Sequence, residues 1–293
     1  MKNSGFVLLD KPSGISSRMA GNKIARMFDA KKFGHIGTLD PMASGILIIA
    51  LNEATKIIPY FPNDYKEYIF SIKWGVETET LDMTGKIIKQ DDNLKFLSDK
   101  ILQQVCNEFI GSYNQVPPNF SAIHIDGQRA YKMAISGKNP NIPPRLVHIY
   151  DLTVINSFSF IVKCSSGTYV RSLARDIAEK CGTIASCTSI RRTETNGFNI
   201  KNTRTLDFLE NLFNNGGRAA INEYLQRIDF GLGDIPVLNL NINDAVLFKH
   251  GVFLTRATFV KNGLFRVYSD NGFIGIGIVQ NSVLKPKRII NVD

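Results

Sequence analysis

Residues 34–47 read GHIGTLDPMASGIL, and the one acid among them, Asp40, decides how the rest of the chain is understood. Gly37 and Gly45 flank it and Pro41 follows it, so sharp turns are expected on either side of the carboxylate. An aspartate before proline is most often a turn residue that bonds nearby backbone. It can also serve as a metal ligand, a general acid or base, or a nucleophile. Metal binding calls for more acids or histidines in the same neighbourhood, and the quoted stretch supplies no second acid and the single histidine His35. A two-carboxylate glycosidase calls for a second acid on a turn of its own, for which Asp82 and Asp176 are available. Lys31, Lys32 and His35 lie just upstream, which sets a cationic surface close in sequence to the constrained acid.

Outward from this stretch, short strands and helices alternate irregularly. Phe6–Leu9 reads as a strand entering the turn DKPSGISS, where Ser16 and Ser17 can cap a helix to about Phe28 with Met19, Ile24, Met27 and Phe28 on its apolar side. Ile46–Ala50 reads as a buried strand and Thr55–Phe61 as a helical turn stopped by Pro62. Tyr68, Phe70, Ile72 and Trp74 alternate, as a half-buried strand requires. Ile101, Leu102, Val105, Phe109 and Ile110 predict a helix between Ser98 and Gly111, followed by a turn-rich segment with a short helix at 130–136. Two strands of a meander are expected at 147–155 and 158–164, then a helix through Val170, Leu173, Ile177 and Ala178 capped by Gly182. This order favours an α+β sheet over a regular parallel one. Gly231, Gly233 and Pro236 mark a linker, beyond which an Asn-Gly hairpin signal predicts a small β-rich module with a basic tail of Lys285, Lys287 and Arg288.

Composition narrows the partners. The 293 residues are 44% hydrophobic and 21% charged, which excludes a disordered chain and allows one main domain with a smaller one. An excess of 35 Lys and Arg over 26 Asp and Glu gives a net charge of +9, favouring a polyanion such as nucleic acid or a membrane surface. Cys106, Cys164, Cys181 and Cys187 show no metal or redox spacing and read as idle thiols of a reducing compartment. The apolar run at Phe6–Leu9 is too short for a signal peptide, and no later run spans a bilayer, so a cytoplasmic protein is expected.

The stretch GHIGTLDPMASGIL closely resembles the catalytic loop of the bacterial tRNA pseudouridine synthase B (TruB) family, and other segments agree in the family's order. LDKPSGISS resembles its opening motif, YKEYIFSIKWGVETETLDMTG its tyrosine strand and QVPPNFSAIHIDGQRAY its middle motif; CSSGTYVRSLARDI and SIRRTETNGF resemble the two later ones. Departures are mild: Ile36 and Ser17 stand where Thr is common, His124 where Lys is common, and Ile190 where Leu is common.

The resemblance implies a pseudouridine synthase fold: α+β, with a mixed, mainly antiparallel central sheet flanked by helices and a small C-terminal β-rich module similar to PUA domains. It implies a catalytic domain over residues 1–233 and the small domain over 234–293. It further implies isomerisation of the T-loop uridine at conventional tRNA position 55, with base flipping, no cofactor and no metal. Asp40 then takes the catalytic carboxylate's place, Arg171 that of the cation holding it ionised, and Tyr68 that of the ring stacked on the target base. His35 matches the residue that fills the space left by the flipped base. Gly37, Thr38 and Leu39 belong to the same substrate-binding loop, Lys11 and Pro12 to its support, and Arg191 and Arg192 to the RNA contacts. Lys23, Arg26, Lys31, Lys32, Arg129 and Lys132 are further candidates for phosphate contacts. The expected partner is the T-arm stem-loop of tRNA, with no membrane, no obligate protein partner and a monomeric state. RNA binding without chemistry, as a tRNA-folding chaperone, is the competing class; intact Asp40, Tyr68 and Arg171 argue against it.

Overall fold

Six consecutive residues, Ile46 to Leu51, are wholly buried, which marks a strand covered on both faces. In the computed structural model, residues 3–62, 65–94, 98–125, 127–138 and 140–291 are described. The domain limits at residues 1 and 293, and Asp126 of the quoted middle motif, lie outside them. The chain divides into two units, one of residues 1–40, 46–62 and 202–293, the other of 41–45 and 63–201.

In the first unit, strand Gly5–Lys11 buries Phe6, Val7, Leu8 and Leu9 and pairs in parallel with Arg204–Thr205. It also neighbours strand Ser44–Leu51, against which Phe33–Ile36 runs antiparallel. Ser16 caps helix Ser17–Met27 by accepting the Met19 N–H. Its buried side is Ser17, Ala20, Gly21 and Ile24 rather than one containing Met19, which is 53% exposed. The small residues decide this: the Phe33 ring packs so closely that a Cβ on Gly21 would lie 2.2 Å from it. Helix Leu206–Ile221, capped by Thr205 and kinked at Gly217, lies along helix Ser17–Met27 through Lys23–Glu210.

The remainder of this unit is a five-stranded sheet in the order Val237–Asn239, Gly263–Ser269, Gly272–Gln280, Val283–Ile289, Leu254–Thr255. Phe248 from helix Ile242–Lys249 joins Val267, Val279 and Leu284 in its core. Lys285, Lys287 and Arg288 therefore sit on a paired strand and not on a tail, because Val283 and Leu284 anchor that segment against Gln280 and Val279. Glu53 accepts the Asn291 N–H at 3.0 Å and Lys56 Nζ donates to the Ile289 carbonyl at 3.1 Å, so this sheet is fastened to the Asn52–Lys56 turn.

The second unit is an antiparallel sheet in the order Ala185–Thr195, Tyr65–Trp74, Ser159–Ser165, Arg145–Asn156, Gly111–Gln115. Phe70 and Phe160 stack at its centre with ring centroids 5.0 Å apart. Helices Asp99–Asn107 and Val170–Lys180 bury Leu102 and Cys106, and Leu173, Ala174, Ile177 and Ala178. The expected helix apolar face between 98 and 111 is narrower than its spacing suggests, since Ile101 and Ile110 are each 46% exposed. No helix among the described residues is long and apolar enough to cross a membrane.

Candidate active site

Asp40 lies in the turn that connects Phe33–Ile36 to Ser44–Leu51, with Ile36 opposite Ile48 and His35 opposite Ile49. Gly37 turns the chain with φ of 69°, Thr38 is exposed and Leu39 is buried. The buried Ser17 hydroxyl clamps the residue before the acid: it donates to the Leu39 carbonyl and accepts the Leu39 N–H, both at 2.9 Å. Lys11 sits beneath this opening motif, fully buried, with Nζ donating to the carbonyls of Pro12 at 2.8 Å and Ile15 at 2.7 Å. It therefore holds the Pro12–Ile15 turn that delivers Ser16 as helix cap and Ser17 as clamp. Pro12 is exposed. Asp40 is half-buried, and the residue before it is fixed by Ser17.

Within the second unit, Pro41–Gly45 lead into the same strand, and Ser44 and Gly45 pair in parallel with Arg191 and Arg192. Gly45 has φ of 106°, and a Cβ there would lie 2.2 Å from the Arg192 carbonyl oxygen, so only glycine fits. Tyr68 is 7% exposed and pairs with Arg192 on one side and Val162 on the other. Arg192 is fully buried, and Arg191 is half-buried with Nη1 3.4 Å from Ser44 Oγ.

Arg171, the second residue of helix Val170–Lys180, is 3% exposed. Its guanidinium donates to the Thr80 carbonyl at 2.6 Å and the Phe120 carbonyl at 3.0 Å, and lies 3.7 Å from Asp82 Oδ2. Asp82 is held in turn by Thr80 Oγ1 at 2.8 Å, the Thr84 N–H at 2.9 Å and the Thr84 hydroxyl. Sequence reasoning had Asp82 only as a spare acid; the signal was the threonine-rich TETLDMTG around it, a composition suited to side chains closing turns on their own backbone. Asp176, the other spare acid, accepts two hydrogen bonds from Arg175 at 2.9 and 2.7 Å, and burial pushes its carboxyl up.

Among the other cations, Lys23 is paired with Glu210 at 2.8 Å and Lys32 lies 3.7 Å from Glu53, while Arg26, Lys31, Arg129 and Lys132 are exposed. All four cysteines are free thiols; burial pushes Cys106 up to about 12 and Cys164 up to about 11. These thiols stay protonated at neutral pH and are poor nucleophiles. Among the described residues no group of His, Cys, Asp or Glu is placed to hold a metal ion.

Solved structures share this fold. The chain superposes on a chain of an H/ACA ribonucleoprotein bound to a substrate RNA containing 2'-deoxyuridine, with a TM-score of 0.68 at 19% identity, covering 99% of this chain and 86% of that one. A Cbf5-Nop10-Gar1 complex gives 0.68 at 20% identity, covering 100% and 84%. The fold is that of pseudouridine synthases, a mixed α+β architecture with a β-rich C-terminal sheet. Residues 25–170 match the model of the TruB family pseudouridylate synthase N-terminal domain, and 236–290 that of the pseudouridine synthase II TruB C-terminal region. The tRNA pseudouridine synthase B of Ehrlichia chaffeensis is 37% identical, covering 98% of this chain and 99% of that protein. That of Caulobacter vibrioides is 40% identical, covering 85% and 80%. The chain belongs to the TruB family of pseudouridine synthases.

Proposed function

We propose that this protein isomerises uridine to pseudouridine in tRNA, at the T-loop uridine of conventional position 55, with Asp40 as the catalytic carboxylate. The reaction breaks the N1–C1′ bond, turns the uracil, joins C5 to C1′ and releases the C5 proton. It conserves the atoms of the RNA apart from proton exchange, so what it requires of the protein is an ionised carboxylate fixed beside an extruded nucleotide. The observation that carries this reading is the clamped Leu39–Asp40 turn, in which bonds from the Ser17 hydroxyl to the Leu39 main chain remove the freedom an exposed loop would have.

Arg171 is assigned to keep that carboxylate charged. Desolvation in a closed site drives an aspartate towards its neutral form, and a guanidinium opposes the shift. Tyr68 is assigned to the target base, where aromatic stacking contributes on the order of 1–3 kcal/mol. That offsets a flipping cost of a few kcal/mol, smallest in a loop where the uridine is outside a regular duplex. His35, Gly37, Thr38 and Leu39 are assigned to the RNA loop, Lys11 and Pro12 to supporting it, and Arg191 and Arg192 to the strand beside Tyr68 that faces the substrate. The protein acts in the cytoplasm as a monomer, with a catalytic domain over 1–233 and a small domain over 234–293; the separate apolar core around Phe248 supports that division.

The test is incubation of a T-arm stem-loop RNA with wild-type protein and with Asp40→Asn, followed by pseudouridine mapping. Product from the wild type alone is expected. Equal product from both removes Asp40 from the mechanism, and product at another uridine removes the position.

A further inference from the structure

Lys66 lies two residues before Tyr68 on strand Tyr65–Trp74, on the same face, with Cys164 opposite it on one neighbouring strand and Thr195 on the other. Among the described residues none accepts a hydrogen bond from its ammonium. Desolvation, then the charge of Arg192 and more weakly that of Arg145, lower Lys66 to about 8. The nearby carboxylates are engaged elsewhere: Glu67, next along the same strand, accepts from Thr193 at 2.7 Å, and Glu194 on the neighbouring strand accepts from Tyr65 at 2.5 Å.

Two further donors share this condition. Arg145 stacks over the Tyr169 ring with Cζ 4.4 Å from its centroid, and its guanidinium packs on Gly167, where an added Cβ would lie 3.5 Å away. Its Nε is buried with no acceptor among the described residues, and the same holds for Ser166 Oγ in the adjoining loop. Gathering two cations and a hydroxyl without an anion costs stability, because each is partly desolvated and the cations repel. Arrangements of this kind are retained where a ligand supplies the missing charge.

We propose that Lys66, Arg145 and Ser166 form a seat for one backbone phosphodiester of the substrate RNA, beside the nucleotide that stacks on Tyr68. The inference rests on the pseudouridine synthase reading. Residues i and i+2 of a strand are about 6.8 Å apart, so a base on Tyr68 and a phosphate on Lys66 fall within the span of a single nucleotide. Arginine provides a planar fork for two phosphate oxygens, and lysine a point charge.

The test measures binding of a T-arm stem-loop RNA to full-length protein across a salt series, in the Asp40→Asn background so that turnover does not intervene. Lys66→Gln and Arg145→Gln are each expected to weaken binding roughly tenfold. Each also lowers the slope of log affinity against log salt by about 0.7–0.9 if that phosphate contact is lost; Lys66→Arg retains both. Independently of any variant's folding, a neutral methylphosphonate walked through the RNA linkages is expected to cost the Asp40→Asn protein about tenfold at one position. At that position it costs the Lys66→Gln, Arg145→Gln protein nothing further. Slopes unchanged in folded variants, or a methylphosphonate penalty that survives in the doubly substituted protein, overturn the seat. Pseudouridine formation with unchanged slopes removes the seat alone, whereas these binding effects without any pseudouridine from the wild type leave the seat and remove the reaction.

Discussion

Asp40 is held through its main chain: the two strands of one hairpin on either side of it, Gly37 and Gly45 in conformations side chains disfavour, and the Ser17 hydroxyl bonding both polar groups of Leu39. Arg171 is held by its own side chain, through two carbonyls and the Asp82 carboxylate, which three donors from Thr80 and Thr84 fix in turn. The difference teaches where each region is vulnerable. A main-chain support fails when geometry changes, whereas a side-chain network fails when chemistry changes at constant shape.

The largest effect tests the carboxylate itself. Asp40→Asn keeps the turn and removes the charge, and a fall in kcat of at least about ten-thousandfold with an unchanged melting temperature is expected. Next comes the network around Arg171, where side chains of 3% and 6% exposure face each other. Asp82→Ala removes a buried carboxylate 3.7 Å from the guanidinium and is expected to cost about 3–4 kcal/mol in urea unfolding. A cost under about 1 kcal/mol there would erase the contrast between the two regions. On the main-chain side, Gly45→Ala drives a Cβ into the Arg192 carbonyl and is expected to cost about 2–3 kcal/mol by the same measurement. Ser17→Ala orphans the buried N–H and carbonyl of Leu39, for about 1–2 kcal/mol and a lower kcat, and Ser17→Thr restores both.

The smallest effect sharpens the comparison through a carboxylate held both ways. Burial by itself raises Glu53, but the hydrogen bond from Lys56, the Asn291 amide and the charges of Lys56 and Lys32 outweigh it and leave the carboxyl below its ordinary value. Its contribution is therefore complete above the unfolded value near 4.3 and is lost as pH falls through the lower folded value. Acid unfolding should shift to higher pH in Glu53→Gln, by a few tenths of a unit at most.

Much of this was legible wherever one residue's pattern sufficed. The alternation of Tyr68, Phe70 and Ile72 gave a strand, all three being buried, and Ser16 and Ser98 cap the helices their positions suggest. Strand Gly111–Gln115 was hidden because Ser112, Tyr113, Asn114 and Gln115 carry no apolar alternation; its partner Arg145–Ile149 supplies the ladder. Strand Ala185–Thr195 was likewise obscured by hydroxyl residues and two arginines whose burial depends on flanking strands, and helix Leu206–Ile221 by glycines at 216 and 217. At the site, the acid was visible from its turn, but the roles of Ser17 and Asp82 depend on partners that pairing and burial bring together. Neither residue type announces such a role by itself.

The amino-terminal strand pairs Leu9 with Arg204 and Phe6 with Gln226. A ribosome delivers the first member of each pair long before the second, so the nascent chain carries one of its most apolar strands without that neighbour until Arg204 has been made. Pausing or truncation upstream of Arg204 then leaves an open strand edge for other chains to join, and yield in the cell would depend on chaperone capacity more than on the stability of the finished protein.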